Sequence, residues 1–237
     1  MKCLYTIFAV PFDVFTMFEG LDKIKPYRLH GTTTVGLKCE NGVVMATDTR
    51  ATVFPGLVAH KNVRKIYEVT WNVGMTMAGI PAEALNILDI LRANARLYVM
   101  ERKRLIPVRA VASLASNILF SWRYYPYLVQ VIVGGFDDEG YHLYSLDPFG
   151  SLIEDDVIST GSGSVVAYGV LEDAYRKDLN LRDGLSVAVR AVLAAIKRDV
   201  YTGDDINVAT ITRKEGYREL GAEEKKKLIA EASSRKH

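Results

Sequence analysis

The sequence predicts an α+β fold in which two stacked sheets carry helices on their outer faces. Three observations point there. Strands and helices come in groups (strands, two helices, strands, two helices, a strand) rather than in strict alternation. Several strands are apolar at consecutive positions, as at Val43-Val44-Met45-Ala46, so both of their faces are covered. The 237 residues show no internal repeat of fixed period and no low-complexity linker, so they read as one domain.

Residues 1–31 differ in texture from the rest, with four phenylalanines, two prolines and no sustained period. Met1-Lys2 followed by an apolar run to Val10 has the outline of a short signal peptide. Pro11 and Asp13 interrupt it, and no small-x-small pattern precedes Gly20. A removable pro-segment is the second reading. From Thr32 the pattern becomes regular. Residues 32–40 are rich in β-branched side chains, Asn41-Gly42 is a hairpin signal, and 43–46 return. Residues 65–69 and 73–80 pair around Trp71-Asn72. Pro81 opens a long helix whose apolar positions Leu85, Leu88, Leu91, Leu97 and Met100 are spaced for one face. Pro107 opens a second helix, with Val111, Leu114, Ile118 and Leu119 on its apolar side. Strands follow at 128–133 and 141–144, helices at 163–175 and 185–198, and a strand at 206–212. The charged tail from Glu223 reads as a solvated helix.

Composition excludes several classes. Apolar residues at 49% and charged residues at 24% belong to a folded globular chain. A net charge of +2 without long blocks of one sign gives nucleic acid no basic face to bind. No apolar run is long enough to span a bilayer, which argues against a membrane partner. Two cysteines, Cys3 and Cys39, make no disulfide scaffold and fit a reducing, cytoplasmic setting. The four histidines stand far apart, with no H-E-x-x-H and no cysteine–histidine spacing for zinc. A phosphate loop is missing, and Thr160 stands where a serine hydrolase elbow would need glycine.

What remains is Gly31-Thr32-Thr33-Thr34-Val35-Gly36. β-propensity alone accounts for three threonines in a strand. A cut between Gly31 and Thr32 would add chemistry. Thr32 would then carry a hydroxyl nucleophile and a free α-amine on one residue. That amine has a pKa of roughly 7.7 to 8.0, close to the working range of a general base.

With GTTTVG at 31–36, MATDTR at 45–50, HKNVRKI at 60–66, GMTMAG at 74–79, STGSGS at 159–164, YGVLE at 168–172, KRD at 197–199 and NVATIT at 207–212, the chain resembles the archaeal-type proteasome β-subunits. These are N-terminal nucleophile hydrolases. Each motif alone is weak, and their joint order over the whole stretch from Thr32 to about Arg213 is specific. The resemblance implies a four-layer α/β/β/α sandwich. It divides the chain into a removable propeptide, 1–31, and a catalytic domain, 32–237. The implied activity is a threonine endopeptidase that processes itself at Gly31-Thr32 and degrades unfolded proteins with broad specificity, favouring large apolar residues. No cofactor and no metal are implied.

Roles carry over residue by residue. Thr32 matches the nucleophile. Lys65 matches the ammonium beside it, which lowers the pKa of the amine and hydroxyl by like charge. Asp48 matches the carboxylate that holds Lys65, and Gly79 the backbone N–H of the oxyanion hole. Ser162 and Asp199 match the pair that positions the amine. Ala51, Val63, Met77 and Pro81 match the substrate pocket. Without the resemblance, Lys65 reads as a solvated strand edge, Asp48 as a turn residue, and Gly161-Ser162-Gly163-Ser164 as a helix cap or an anion site. Asp199 stands out by itself, because a helix C-terminus disfavours negative charge, so a specific partner is expected.

Two departures from the family pattern matter. The loop through Pro55-Gly56 is one residue longer, which makes Arg64 a rival for the role of Lys65. Lys65 is preferred because Ile66 continues the buried strand period and fixes the register. Thr202 stands where the family has a serine, keeping the hydroxyl and adding a methyl. The implied partners are other β-subunits in a seven-membered ring, rings of α-subunits, an ATP-dependent unfoldase and unfolded protein substrates. A non-catalytic structural β-subunit is the alternative from another class. The smaller two-ring bacterial relative fits less well, given the long segment before Thr32 and the charged C-terminal extension.

Overall fold

The computed structural model describes residues 29–53 and 56–234. Of the segment expected to be removed, 1–31, only Leu29 to Gly31 fall among them, and Pro55 also lies outside. Two five-stranded antiparallel sheets face one another, with helices on both outer sides. This is the four-layer α/β/β/α sandwich.

The chain begins with β1 (Leu29–His30), then β2 (Thr34–Cys39) and β3 (Gly42–Asp48) form the hairpin closed at Asn41-Gly42. Short strands β4 (Ala51–Val53) and β5 (Leu57–His60) pair with one another, and β1 adds to β4. This small three-stranded sheet had no signal in the sequence. The strand pair β6 (Ile66–Thr70) and β7 (Val73–Gly79) follows, then helix α1 (Pro81–Arg102) and helix α2 (Val108–Ser121). The next strands are β8 (Val129–Phe136), β9 (Tyr141–Leu146), β10 (Leu152–Glu154) and β11 (Val157–Thr160). Helices α3 (Ser164–Ala174) and α4 (Leu181–Arg198), the hairpin β12 (Ile206–Thr212) and β13 (Gly216–Glu219), and α5 (Ala222–Ser234) complete the domain.

One sheet has the order β11-β2-β3-β12-β13, the other β10-β9-β8-β7-β6. Side-chain alternation divides the central strands between two cores. Val44 and Ala46 of β3 pack with α3, α4 and α5, whereas Val43 and Met45 face the opposite sheet. Val131 and Val133 of β8 pack under α1 and α2, and Ile132 meets Val43, Met45 and Leu143 between the sheets. The consecutive apolar residues of β3 have this cause. The sheets approach closely where Gly36 and Gly134 flank Leu143. A Cβ at either glycine would stand 2.9 or 2.8 Å from a Leu143 methyl.

Helix starts follow their sequence signals, with one miss. Pro81 occupies the first turn of α1 and Glu83 adds favourable charge there. The expected apolar stripe of α1 needs correction. Leu88 and Leu91 are buried with Ala84, Ile87 and Ala95, whereas Leu85, Leu97 and Met100 are 39%, 56% and 66% exposed. Ala84 and Ala95 share that stripe with Ile87, Leu88 and Leu91, which pack over β6 and β7. Helix α4 starts at Leu181, four residues before the expected position. Asn180 caps it by accepting the Asp183 N–H at 2.9 Å. Cys39 is a core thiol of the α3–α4 layer, its pKa pushed up to about 12 by burial. It is inert to chemistry that needs a thiolate.

Candidate active site

The site forms at one end of the sandwich, where β2 and β12 begin, β3 and β7 end, and α4 stops. Thr32 and Thr33 immediately precede β2, and Asp48 is the last residue of β3. Both Thr33 and Asp48 are fully buried, and Thr32 is 5% exposed. The structure brings Thr32, Asp48, Lys65, Ser162, Asp199 and Thr202 into one hydrogen-bonded group around the Gly31–Thr32 peptide.

Lys65 is buried and Arg64 exposed, and Lys65 immediately precedes the buried Ile66 that opens β6. The Lys65 Nζ uses all three donors. It reaches Asp48 Oδ1 at 2.8 Å, the Arg50 carbonyl at 2.6 Å and the Gly31 carbonyl at 3.3 Å. Asp48 accepts in addition from the backbone N–H groups of Thr33 (2.9 Å), Arg50 (3.1 Å) and Gly203 (3.1 Å). Burial pushes the Asp48 carboxyl up from its ordinary pKa and the Lys65 ammonium down, and each partner opposes the other's shift. With so many donors on the carboxylate, the ion pair is the satisfied state of these two groups. Arg64 instead pairs with Glu219 and lies over the Tyr67 ring at 5.0 Å.

On the other side of Thr32 stands a second group. Asp199 follows α4 as its C-cap. Its Oδ2 meets the Ser162 hydroxyl and the Thr202 hydroxyl, both at 2.5 Å, and its Oδ1 accepts the Tyr201 N–H at 3.2 Å. These are the partners its unfavourable position called for. Ser162 Oγ in turn accepts the Thr32 N–H at 3.3 Å. The residue before α3 is Gly163, and no side chain caps that helix. Ser162 therefore serves the Thr32 nitrogen and not the helix.

Gly31 has a φ of +106°, and a Cβ there would stand 2.3 Å from the Tyr201 carbonyl oxygen. Only glycine fits this position. Its carbonyl oxygen lies 2.5 Å from the Thr32 hydroxyl that donates to it. Gly79 ends β7 with a φ of +122°, and an added Cβ would stand 2.0 Å from the Leu128 carbonyl oxygen. Gly31, Thr32, Ala51, Val63, Lys65, Met77, Gly79 and Pro81 line one cleft of ≈ 20 Å³, room for about one water. All four residues expected in the pocket are thus in the wall that carries Thr32, and none is charged.

Sequence reasoning missed several neighbours. Arg50 was read only as part of a motif. Its guanidinium bonds Asp204 at 2.9 Å and the Val200 carbonyl at 3.0 Å, holding the segment after α4 against the end of β3. Gly161 and Gly163 were read as cap residues, yet a Cβ would strike the Thr32 carbonyl oxygen or the Thr33 hydroxyl, each at 2.1 Å. The Thr33 and Thr34 hydroxyls were read as strand residues only, and both are buried in hydrogen bonds.

Residues 29–211 match the family described as proteasome subunit. The chain is 51% identical to a proteasome subunit beta of Methanopyrus kandleri over 202 residues, covering 84% of this chain and 96% of the relative. It is 48% identical to a proteasome subunit beta of Methanothermobacter thermautotrophicus, covering 85% and 95%. A proteasome subunit beta of Archaeoglobus fulgidus is 46% identical, with 84% and 93% covered. The four-layer sandwich is the N-terminal nucleophile hydrolase fold, and by its sequence and its fold this chain belongs to the proteasome subunit family.

Proposed function

We propose that this chain is a catalytic β-subunit, a threonine endopeptidase whose nucleophile is Thr32. The observation that carries the reading is the Gly31–Thr32 junction. The peptide is gripped from both sides, its carbonyl by Lys65 and the Thr32 hydroxyl, its nitrogen by Ser162. A structural subunit has no need for that arrangement.

Maturation starts with attack of Thr32 Oγ1 on the Gly31 carbonyl carbon. The amide C–N bond breaks as the ester C–O bond forms, and the hydroxyl proton passes to the leaving nitrogen. Water then hydrolyses the ester, releasing residues 1–31 and restoring the hydroxyl. Thr32 is left with a free amine beside its own nucleophile. The amine takes the hydroxyl proton as general base during peptide hydrolysis. Lys65 supplies positive charge at the reacting centre, Asp48 holds it there, and the Gly79 N–H is the donor assigned to the developing oxyanion. Ser162, Asp199 and Thr202 keep the amine oriented.

Cutting also removes Gly31 from the wall of the cleft and so enlarges it. The uncharged side chains of Ala51, Val63, Met77 and Pro81 support cleavage after large apolar residues, because a buried substrate cation would find no carboxylate among them and the one charged residue of the cleft, Lys65, is already held by Asp48. The working enzyme is a cytoplasmic assembly with other β-subunits in a seven-membered ring, capped by α-subunit rings and fed unfolded protein by an ATP-dependent unfoldase. The mass and N-terminal sequence of the purified assembly test this reading. The mature chain should begin at Thr32, Thr32→Ala should keep residues 1–31 and lack peptidase activity, and Thr32→Ser should retain part of both steps. A mature chain starting elsewhere, or an active Thr32→Ala, would overturn it.

A further inference from the structure

The threonine chemistry proposed for Thr32 uses one hydroxyl of the Thr32-Thr33-Thr34 run. The second has a definite place as well. Thr33 is fully buried, and its Oγ1 lies 2.8 Å from Thr202 Oγ1. Thr202 Oγ1 and Ser162 Oγ both meet Asp199 Oδ2, and Ser162 Oγ meets the Thr32 nitrogen. Since Thr32 and Thr33 are adjacent in the chain, these contacts close into a ring.

The proton directions in that ring are fixed by chemistry. An ionised carboxylate only accepts, so Ser162 and Thr202 must each give their single hydroxyl proton to Asp199. Ser162 has a second acceptor, the Thr32 carbonyl, but at 3.4 Å it is the weaker one. With its proton committed, Thr202 oxygen is free to accept, and Thr33 is the donor that faces it. On the opposite arm Ser162 oxygen accepts from the Thr32 nitrogen. Once Thr32 is released, one of its amine N–H bonds points at Ser162, which leaves the lone pair for the Thr32 hydroxyl. Gly163 makes room for the arrangement, since any side chain there would strike the Thr33 hydroxyl.

We infer that Thr33 is a positioning residue for this site: its hydroxyl donates to Thr202, fixes Asp199 between two donors, and so orients the Thr32 amine. The inference rests on Thr32 being the nucleophile. It touches no substrate, so its loss acts on the rate of the chemical step and not on binding.

The test compares Thr33→Val, Thr33→Ala and Thr33→Ser in the purified assembly, with rates normalised to the amount of processed chain from its intact mass. Thr33→Val keeps the volume and removes the hydroxyl. It should lower kcat for a fluorogenic peptide about tenfold with KM unchanged, a hydrogen bond to a charged network having about that weight. Thr33→Ala should fall as far, and Thr33→Ser should recover most of the rate. If Thr33→Val fails to assemble, the alanine and serine variants decide, because both lose the methyl and only alanine loses the hydroxyl. Equal kcat for those two, or a loss seen only in KM, would overturn the inference. Thr32→Ala in parallel separates the two claims. If it is active, the nucleophile and the relay fall together. If it is inactive while Thr33→Ala equals Thr33→Ser, the relay alone falls.

Discussion

Lys65 and Arg64 are neighbours in sequence with the same charge, and their surroundings give them different work. Lys65 is 4% exposed and donates to one carboxylate and two carbonyls, whereas Arg64 faces solvent with Glu219. Lys65→Ala should lower kcat by about 10²–10³, the scale of losing one charged or oriented group at a reacting centre. Arg64→Ala should change kcat by no more than about twofold, since an exposed ion pair contributes about 0–1 kcal/mol. Removing the lysine leaves Asp48 buried without its cation, which destabilises by about 3–5 kcal/mol. The quantity of assembled protein is therefore measured beside the rates. An inactive Arg64→Ala with an active Lys65→Ala would reverse the register assigned to β6.

At the scale of elements, the site depends on where strands and helices stop. Helix α4 ends at Arg198, and the next few residues place Asp199, Tyr201, Thr202 and Gly203 against Gly31, Thr33 and Asp48. The turn after α4 and the segment after β1 fit by close backbone approach. Gly31→Ala meets the Tyr201 carbonyl and also a left-handed φ, so the chain must shift at the bond to be cut. Processing should slow by about tenfold or more, as expected for about 1–3 kcal/mol of local strain. The fraction of precursor seen by gel or mass spectrometry during refolding or assembly gives the rate. Processing at the wild-type rate would show that the carbonyl position next to Thr32 Oγ1 is unimportant.

The cleft is a property of the whole molecule. Ala51 comes from the small sheet, Val63 from the β5–β6 connection, Met77 from a strand of a large sheet and Pro81 from the start of α1. Met77 is buried and flexible enough to fit varied apolar groups. Met77→Glu puts a carboxylate at that wall. The ratio of kcat/KM for peptides cleaved after arginine to those cleaved after leucine should then rise about tenfold or more, because a charged hydrogen bond is worth about 1.5–3 kcal/mol. Wild-type protein that cleaves after arginine as fast as after leucine would contradict the apolar pocket.

By itself the sequence determined the class of fold and, through its motifs, the proteasome subunit family. Strand pairs, proline-led helices and doubly apolar strands are local signals, and Thr32, Asp48, Lys65, Ser162 and Asp199 were named from motifs in their order. Only the tertiary structure decided which face of α1 is covered, since helical spacing could not say that Ala84, Ile87 and Ala95, and not Leu85, Leu97 or Met100, are buried beside Leu88 and Leu91. It also decided what Thr33, Arg50, Gly161 and Gly163 do. Their contacts join residues far apart in sequence, such as Thr33 with Thr202 and Arg50 with Asp204. A hydroxyl in a threonine-rich strand looks the same in sequence whether it faces solvent or a carboxylate network. Burial and partners set its energy, and both exist only once the chain has closed on itself.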